Sequence, residues 1–281
     1  MWDLDYSSAR AIKGVLEENG LAMSKRLGQN FLLSPEARAR IVSLVDAREG
    51  MRVWEVGPGL GAITHLLVKE KAEVTAFELD HGFSRILREK AFPEEGNFTL
   101  VEGDALSTLF SLPFDAERVC GNLPYNVGSE IIARLIERGL LPERMVFTLQ
   151  KEVAERMRAK PGEEGYSSFS VLTQLDYVNT IAMVIPRGSF YPEPRVDSAV
   201  VLMRRREESL AGGGERKAFL SNVRLLFAQR RKTVRNNLLS SGRFSKVSVE
   251  EALSKSGLTG TERAEALSFD QLLRLSEALG E

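Results

Sequence analysis

The sequence predicts an α/β domain with a Rossmann-like, mostly parallel sheet, followed by a small all-α domain. From about residue 51 to 203, short apolar runs alternate with segments whose apolar residues recur at helical spacing. This alternation is typical of a parallel sheet covered by helices on both faces. Three consecutive glycines at 212–214 favour a linker, and the pattern after them is helical to the end. We therefore predict domains at residues 1–207 and 208–281.

The elements of the first domain follow from the positions of its apolar residues. Short apolar runs predict strands, of which the last two would lie at one edge of the sheet: Arg52–Val56, Val74–Glu78, Phe98–Val101, Arg118–Gly121, Met145–Leu149, Thr180–Ile185 and Ser198–Met203. Helical spacing predicts helices between them at Leu60–Glu70, Phe83–Lys90 and Ser129–Arg138. Before the sheet, Ser34 and Pro35 are typical of an N-cap and a first helical turn, in a helix that reaches about Ala47.

The composition excludes several classes of protein. The formal net charge of -1 gives no indication of a nucleic-acid partner. No stretch reaches the roughly 20 apolar residues that a membrane span needs, and the N-terminus does not resemble a secretory signal, so we expect a cytoplasmic protein with no membrane contact. The single cysteine, Cys120, cannot form an intramolecular disulfide. With only two histidines, far from that cysteine in sequence, we expect no metal site.

A glycine-rich turn follows the first strand of the predicted sheet, where Gly57-Pro58-Gly59-Leu60-Gly61 leads into a helix. Glycines at such a turn let the backbone bend sharply and approach a ligand closely, because no Cβ is in the way. The spacing is G-x-G-x-G rather than the G-x-G-x-x-G of dinucleotide sites, which disfavours a nicotinamide oxidoreductase. We predict a cofactor-binding loop, and a purely structural tight turn is the alternative.

Two acidic residues follow the next two strands. Glu78 ends the second strand, where a carboxylate can accept hydrogen bonds from two ribose hydroxyls. Asp104 follows the third strand, where its carboxylate can accept from the amine of a cofactor's adenine. Either acid alone is also typical of a surface position or a helix cap. Together with the glycine loop, at the carboxyl edge of the sheet, they predict a site for a nucleoside cofactor.

A polar turn, Asn122-Leu123-Pro124-Tyr125, follows the fourth strand. The Asn122 side-chain oxygen and a nearby backbone carbonyl, that of Leu123, can accept both hydrogens of an exocyclic adenine amine. The lone pair of that nitrogen can then point at an electrophilic methyl group, so catalysis is mainly positioning. Pro124 restricts φ and removes a donor, and the Tyr125 ring offers a surface on which an extruded base can stack. A plain proline turn is the alternative.

A second aromatic residue, Phe190, lies in the loop Ser189–Ser198, which contains two prolines and an Asp-Ser pair. These constraints predict a shaped loop in which Phe190 closes over the other face of the base. Packing of Phe190 in the hydrophobic core is the alternative.

The predicted second domain carries an uneven charge. Nine Lys or Arg and no Asp or Glu occur between residues 216 and 246, whereas the final 35 residues hold seven acidic and three basic residues. We predict that Arg231, Lys232 and Arg235 share one helical face and contact RNA phosphates, and that Arg230 pairs within the protein. A solvated helix face, or a buried structural use of these basic residues, is the alternative.

With these motifs the sequence resembles the ribosomal RNA adenine dimethyltransferases, and within them the bacterial enzymes that act on the small subunit. The matching stretches occur in the family's order over residues 25 to about 268: Gly28–Leu32, Glu55–Gly61, Glu78–Asp80, Gly103–Ala105, Gly121–Asn126, Leu149–Val153, Phe190–Val201, Gln229–Asn236 and Arg263–Glu265. The last two favour the small-subunit group over sibling enzymes that methylate large-subunit rRNA. Gly61 and the proline run Tyr191–Pro194 depart modestly from the family pattern.

The resemblance implies properties that the residues alone do not show. The cofactor would be S-adenosyl-L-methionine, bound by Asn30 and Leu32 from an N-terminal segment (residues 1–50) that folds over it. We place the remaining contacts at Gly57, Gly59, Gly61, Glu78, Leu79, Asp104, Ala105 and Asn122. The implied substrate is a pair of neighbouring adenines in a loop near the 3′ end of small-subunit rRNA, each methylated twice. The implied partner is the immature small ribosomal subunit, and we expect the enzyme to be a monomer.

Two further functions are alternatives to this interpretation. A DNA adenine methyltransferase would use similar chemistry, but it needs a target-recognition domain for the major groove, whereas the basic helical tail suits shaped RNA and its phosphates. A non-catalytic assembly factor on the same fold would have no need of Glu78, Asp104 and the turn at residues 122–125.

Overall fold

The computed structural model describes residues 2–23, 28–212 and 215–280, which form two compact units. The first unit comprises Met1–Ala154 and Thr180–Arg205, and the second comprises Glu155–Asn179 and Arg206–Glu281. The sequence placed everything before residue 208 in the first domain, so Glu155–Asn179 is assigned differently. The physical reason is packing, because apolar residues of this segment belong to the hydrophobic core of the second unit: Ala159, Tyr166, Val171 and Leu175.

The strands of the first unit form a seven-stranded sheet. In chain order they are β2 (Arg52–Val56), β3 (Glu73–Glu78), β4 (Phe98–Glu102), β5 (Arg118–Asn122), β6 (Arg144–Gln150), β7 (Tyr177–Ile185) and β9 (Ser198–Arg205). Their spatial order is β4-β3-β2-β5-β6-β9-β7, parallel from β4 to β6, with β9 antiparallel to β6. The predicted parallel sheet with two added strands at one edge is confirmed. Two short strands, β1 (Phe31–Leu32) and β8 (Phe190–Tyr191), pair separately.

The helices that precede residue 150 are α1 (Ala9–Glu18), α2 (Pro35–Val45), α3 (Thr64–Lys69), α4 (His81–Ile86, continued by a π-helical turn at Leu87–Ala91), α5 (Ala105–Thr108) and α6 (Gly128–Glu137). The predicted cap is confirmed, since the Ser34 hydroxyl accepts from the Ala37 amide at 3.1 Å and Pro35 opens the helix. Helix α1 was not predicted. Its Ile12 and Leu16 pack with Phe31 and Phe83 in a small cluster beside the sheet.

The second unit is helical. It holds the C-terminal part of α7 (Lys151–Arg158), and then α8 (Ser168–Asp176), α9 (Glu215–Leu226), α10 (Val234–Ser240), α11 (Lys246–Ser256) and α12 (Phe269–Leu279). Its core includes Phe219, Leu238, Leu253 and Leu272, all at most 2% exposed. The predicted linker contains neither helix nor strand over residues 206–212, and Gly213 and Gly214 lie outside the described residues.

Two features are absent from the described residues. No helix there is long and apolar enough to cross a membrane. No group of three or more His, Cys, Asp or Glu in the same part of the chain could hold a metal ion.

Candidate active site

A cavity of about 940 Å³, part of which opens to solvent, lies at the carboxyl ends of β2, β3 and β5. It sits where the strand order reverses, since β2 has β3 on one side and β5 on the other, and open α/β sheets bind ligands at such a switch point. Nine of the ten predicted cofactor residues line it: Asn30, Leu32, Gly57, Gly59, Glu78, Leu79, Asp104, Ala105 and Asn122.

The glycine loop forms one wall of the cavity. Gly57 and Gly59 have φ of 70° and 59°, in the left-handed region that side chains with a Cβ rarely adopt. A Cβ at Gly59 would also lie 3.2 Å from the Phe31 ring. Gly61, the tenth predicted cofactor residue, does not line the cavity; a Cβ there would lie 2.9 Å from the Phe92 ring, so this glycine permits close packing of the chain behind the loop.

Glu78 holds the loop as well as lining the cavity. Its Oε2 accepts from the Gly59 amide at 3.0 Å, and its Oε1 accepts from the Asp80 amide at 2.8 Å. The side chain is only 6% exposed, and this burial raises the pKa of Glu78 to about 7, although the two amide donors oppose the shift. A carboxylate in this position can still accept from ribose hydroxyls, because each oxygen has a second lone pair.

Asp104 both caps a helix and lines the cavity. Its Oδ1 accepts from the Leu106 amide at 2.9 Å and caps α5, so the cap interpretation is confirmed. The residue also lines the cavity. The second carboxylate oxygen can therefore face a bound amine while the first holds the helix.

The N-terminal segment contributes residues 28–32 to the cavity wall. The Asn122 side-chain nitrogen donates to the Asn30 carbonyl at 2.8 Å, and the Gln29 side chain donates to Asp80 at 2.9 Å. Because the Asn122 nitrogen is engaged with Asn30, its Oδ1 is the atom left to accept from a substrate amine. These hydrogen bonds join the segment to residues at the ends of β5 and β3, and contact of Asn30 and Leu32 with the cofactor stays a prediction. Residues 24–27 of the segment lie outside the described residues.

The polar turn after β5 has a free acceptor at the predicted place. The Pro124 carbonyl accepts from the amides of Val127 and Gly128, at 3.2 and 2.9 Å, whereas no donor among the described residues reaches the Leu123 carbonyl. Pro124 lines the cavity, and the Leu123 side chain is buried at 1% exposure. The half-buried Tyr125 is not a lining residue, and its hydroxyl is hydrogen-bonded to Ser198 at the start of β9.

Phe190 does not lie where the stacking hypothesis placed it. The residue is 3% exposed, pairs with Leu32 across β1 and β8, and belongs to the main apolar core of the first unit. The core alternative is therefore what the structure shows, because the short β1–β8 pairing points this side chain inward. In this structure Phe190 does not line the cavity, and its stacking on a base stays a prediction.

Glu55 is a lining residue to which sequence reasoning gave no role. It lies in β2, two positions before Gly57, and is 1% exposed. Burial, with a smaller contribution from the charge of Glu78, raises the pKa of Glu55 to about 7, and the Thr64 hydroxyl acts in the opposite direction. A carboxylate within the apolar strand Arg52–Val56 was the signal available, since charged residues are almost never fully buried without a reason.

The predicted RNA contacts do not share a helical face. Helix α9 ends at Leu226 and α10 begins at Val234, so Arg231 and Lys232 lie in the connecting turn and only Arg235 is helical. The Asn237 side chain terminates α9, donating to the Leu226 carbonyl at 2.8 Å and to the Gln229 carbonyl at 3.1 Å. The single helix that the sequence predicted is therefore interrupted by a turn between α9 and α10, and the Asn237 side chain stabilises this turn.

The same basic residues differ in their partners. Arg230 forms an ion pair with Glu265 at 3.0 Å, which confirms that it pairs within the protein. Arg235 pairs with Glu250 at 3.0 Å and donates to the Thr259 carbonyl at 2.9 Å, so the structural alternative fits this residue. Arg231 is exposed and forms no ion pair with any residue in the described part of the chain.

Comparison with known proteins identifies the family. The model of the family described as "Ribosomal RNA adenine dimethylase" matches residues 20–281. The chain belongs to this family. It is 42% identical to "Ribosomal RNA small subunit methyltransferase A" of Treponema denticola over 98% of this chain and 96% of that protein. It is 36% identical to the protein of the same name from Bacillus pumilus, over 98% of this chain and 97% of the relative.

Solved structures agree with the family assignment. A dimethyladenosine transferase from Plasmodium falciparum superposes with a TM-score of 0.73 at 26% identity, covering 86% of this chain and 94% of that one. The 23S rRNA methyltransferase ErmE gives a TM-score of 0.66 at 28% identity, covering 88% and 98%. The protein is therefore an rRNA adenine methyltransferase that uses S-adenosyl-L-methionine, with a Rossmann-like class I fold and a helical C-terminal domain.

The cavity residues fit this cofactor. S-adenosylmethionine offers ribose hydroxyls and an adenine amine as donors, and the cavity presents the carboxylates of Glu78 and Asp104 as acceptors. The glycine loop leaves room where a Cβ would intrude. The cofactor also carries a positive charge on its sulfonium sulfur, and the wall contains a buried carboxylate oxygen, Oε2 of Glu55, with no hydrogen-bond partner among the described residues.

Proposed function

We propose that this protein transfers methyl groups from S-adenosylmethionine to N6 of two neighbouring adenines near the 3′ end of small-subunit rRNA. Each adenine would be methylated twice, giving N6,N6-dimethyladenosine, as a step in maturation of the small subunit. The observation that carries the proposal is the single cavity on which the glycine loop, Glu78, Asp104 and Asn122 converge. The names of the curated relatives support the small subunit as the target.

The target amine would be held by acceptors alone. With its nitrogen donating to Asn30, the Asn122 side chain presents its oxygen to one hydrogen of the adenine amine, and the Leu123 carbonyl is free for the other. The cofactor supplies the electrophilic methyl group. Two acceptors draw the nitrogen toward tetrahedral geometry and aim its lone pair, so positioning accounts for most of the rate. The methylated nitrogen then loses a proton to solvent, and no buried base is needed.

The Tyr125 ring is the remaining candidate for stacking on the extruded base. Its hydroxyl is hydrogen-bonded to Ser198, which fixes one end of the ring next to the polar turn. Phe190 would have to leave the core, and its position opposite Leu32 in the β1–β8 pair, to stack on the base. We therefore assign stacking to Tyr125 alone.

We propose that the immature small ribosomal subunit, rather than free rRNA, is the substrate, and that the enzyme works as a cytoplasmic monomer. A loop of rRNA presents unstacked adenines only when the surrounding RNA is folded, and single-stranded loops are the usual targets of base-specific proteins. The basic side chains of the α9–α10 turn, the exposed Arg231 and the half-buried Lys232, offer phosphate contacts for such a folded RNA.

The test is mass spectrometry of rRNA after incubation with the purified protein and S-adenosylmethionine. Small subunits, large subunits and naked duplex DNA are the three substrates, and small subunits lacking the methylation are the expected acceptor. Dimethyladenosine at two adjacent positions near the 3′ end of small-subunit rRNA is the expected product. Product on large subunits or DNA would replace this proposal with one of the alternatives. Absence of product on all three, with cofactor bound, would favour a non-catalytic assembly factor.

A further inference from the structure

Glu55 is the buried carboxylate in the cavity wall that the proposed transfer does not use. It is 1% exposed in β2, flanked by Ala76 of β3 and Cys120 of β5. Among the described residues, its Oε2 has no hydrogen-bond partner and no cation forms an ion pair with the carboxylate, although the Thr64 hydroxyl favours its charged form. Burying a carboxylate in this state is costly unless a positive charge compensates it. The cavity it lines therefore suits a cationic ligand.

The two forms of the cofactor differ in charge. S-adenosylmethionine has a positive sulfonium sulfur, and S-adenosylhomocysteine, which remains after methyl transfer, has a neutral thioether. Ribose, adenine and amino-acid groups are the same in both. A carboxylate that senses only the sulfur charge will bind the substrate form more tightly than the product form.

We propose that Glu55 is the residue by which this cavity discriminates between S-adenosylmethionine and S-adenosylhomocysteine. The carboxylate is attracted to the sulfonium in a region of low dielectric, and this attraction vanishes when the methyl group leaves. An enzyme that methylates each adenine twice must exchange its cofactor between transfers, so weak binding of the product form shortens that exchange. The inference depends on cofactor binding in this cavity, and on no detail of the RNA substrate.

The discrimination should depend on pH. Burial raises the pKa of Glu55 to about 7, so the group is neutral well below this pH and charged above it. Three other titratable groups interact electrostatically with Glu55: Glu78 on β3, Cys120 on β5 and Tyr6 in the N-terminal segment. Only Glu78 of these ionises near the same pH, because burial raises the pKa values of both Cys120 and Tyr6.

Titration calorimetry of both cofactor forms between pH 5.5 and 7.5 tests the proposal on the unmodified protein. The ratio of the S-adenosylhomocysteine Kd to the S-adenosylmethionine Kd should rise about tenfold or more over this range, because each unit by which a cation lowers a pKa is worth tenfold in affinity. In two buffers of different ionisation enthalpy, S-adenosylmethionine should release more protons on binding below pH 7 than S-adenosylhomocysteine does, because ribose hydroxyls that donate to Glu78 lower the pKa of that carboxylate equally in both complexes. A constant ratio would overturn the proposal.

Two matched variants separate Glu55 from its neighbour. Glu55→Gln keeps the side-chain shape and should give a ratio near that of the unmodified protein at pH 5.5, with no pH dependence. Glu78→Gln, the other buried cavity carboxylate, should weaken both cofactor forms by a similar factor and preserve the pH-dependent ratio. An unchanged ratio in a folded Glu55→Gln protein would assign the discrimination elsewhere. Failure of the unmodified protein to bind either form would instead refute the cofactor cavity itself.

Discussion

The cofactor cavity and the basic α9–α10 turn were both predicted from short motifs, with different outcomes. In the cavity, nine of ten predicted residues converge on one space. In the second unit, Arg231, Lys232 and Arg235 do not share a face, and Arg235 is paired with Glu250. The cavity motifs mark backbone events, namely strand ends and glycine turns, whose geometry the α/β fold dictates. The basic stretch was interpreted from charge and an assumed helical period, and charge does not determine where a helix stops.

Among the variants that test this comparison, the largest change, a loss of turnover, is expected at Asn122. Asn122→Ala removes the acceptor for the target amine and the hydrogen bond to the Asn30 carbonyl. Loss of one positioned hydrogen-bonding group in an active site typically lowers kcat by about 100–1,000-fold. Single-turnover methylation at saturating RNA and cofactor measures this, with Asn236→Ala, an exposed asparagine of α10, as the control. Normal turnover with weakened RNA binding would mean that Asn122 is a docking residue. Tyr125→Ala should likewise act on turnover more than on RNA affinity.

The fold was predictable where the hydrophobic pattern and the capping or turn residues indicated the same element boundaries. The predicted boundaries of β2 match the structure, and the Ser34 cap lies where Ser-Pro placed it. Helix α8 and the second-unit membership of Glu155–Asn179 were missed because the unit boundaries fall inside α7 and β7, whereas the Pro-Gly stretch at 161–165 lies within the segment. The assignment of this segment depends on which core it packs into. Helix α1 was missed although Ser8 caps it and Ile12 and Leu16 have helical spacing.

The site was predictable in its residues but less so in their orientations. Phe190 and Leu123 occupy positions in the sequence motifs, yet both side chains are buried, with Phe190 3% and Leu123 1% exposed. A sequence motif specifies which residue is needed, whereas inward or outward orientation depends on pairing such as that of β1 with β8. Glu55 belongs to the matching stretch Glu55–Gly61, but the glycines of that stretch, and not its carboxylate, indicated the cofactor site.

A smaller effect, on cofactor affinity, is expected at Glu78 and tests whether the cavity binds S-adenosylmethionine. Glu78→Ala should weaken S-adenosylmethionine binding about tenfold to a hundredfold, since hydrogen bonds to charged groups are worth roughly 1.5–3 kcal/mol. Part of that loss will come from the loop, because Glu78 also accepts from the amides of Gly59 and Asp80. Glu73→Ala, at the exposed amino end of the same strand, is the matched control and should bind the cofactor normally. Equal affinities for the two variants, measured by calorimetry, would remove Glu78 from the cofactor site.

The smallest effect concerns the basic turn, where the structure divides the three predicted RNA-binding residues. Arg231 and Lys232 are exposed or half-exposed in the turn, without an ion pair to described residues, whereas Arg235 is held by Glu250 and the Thr259 carbonyl. Removing one side chain that binds a phosphate should reduce the slope of log affinity against log salt by about 0.7–0.9, because fewer counterions are released. The double variant Arg231→Ala with Lys232→Ala should therefore bind small subunits with a salt slope shallower by roughly 1.5, and bind S-adenosylmethionine normally.

Arg235→Ala is the control for that variant, because it removes a similar charge from a paired position. It should lower the free energy of unfolding by about 0.5–1 kcal/mol, through loss of a half-exposed ion pair and one hydrogen bond, and leave the salt slope unchanged. Thermal unfolding and filter binding over a salt series measure the two quantities. If Arg235→Ala flattens the slope and the double variant does not, then the helical residue is the one that binds phosphate, and its ion pair with Glu250 must open when RNA binds. The charge pattern would then have been the better guide than the helix boundary.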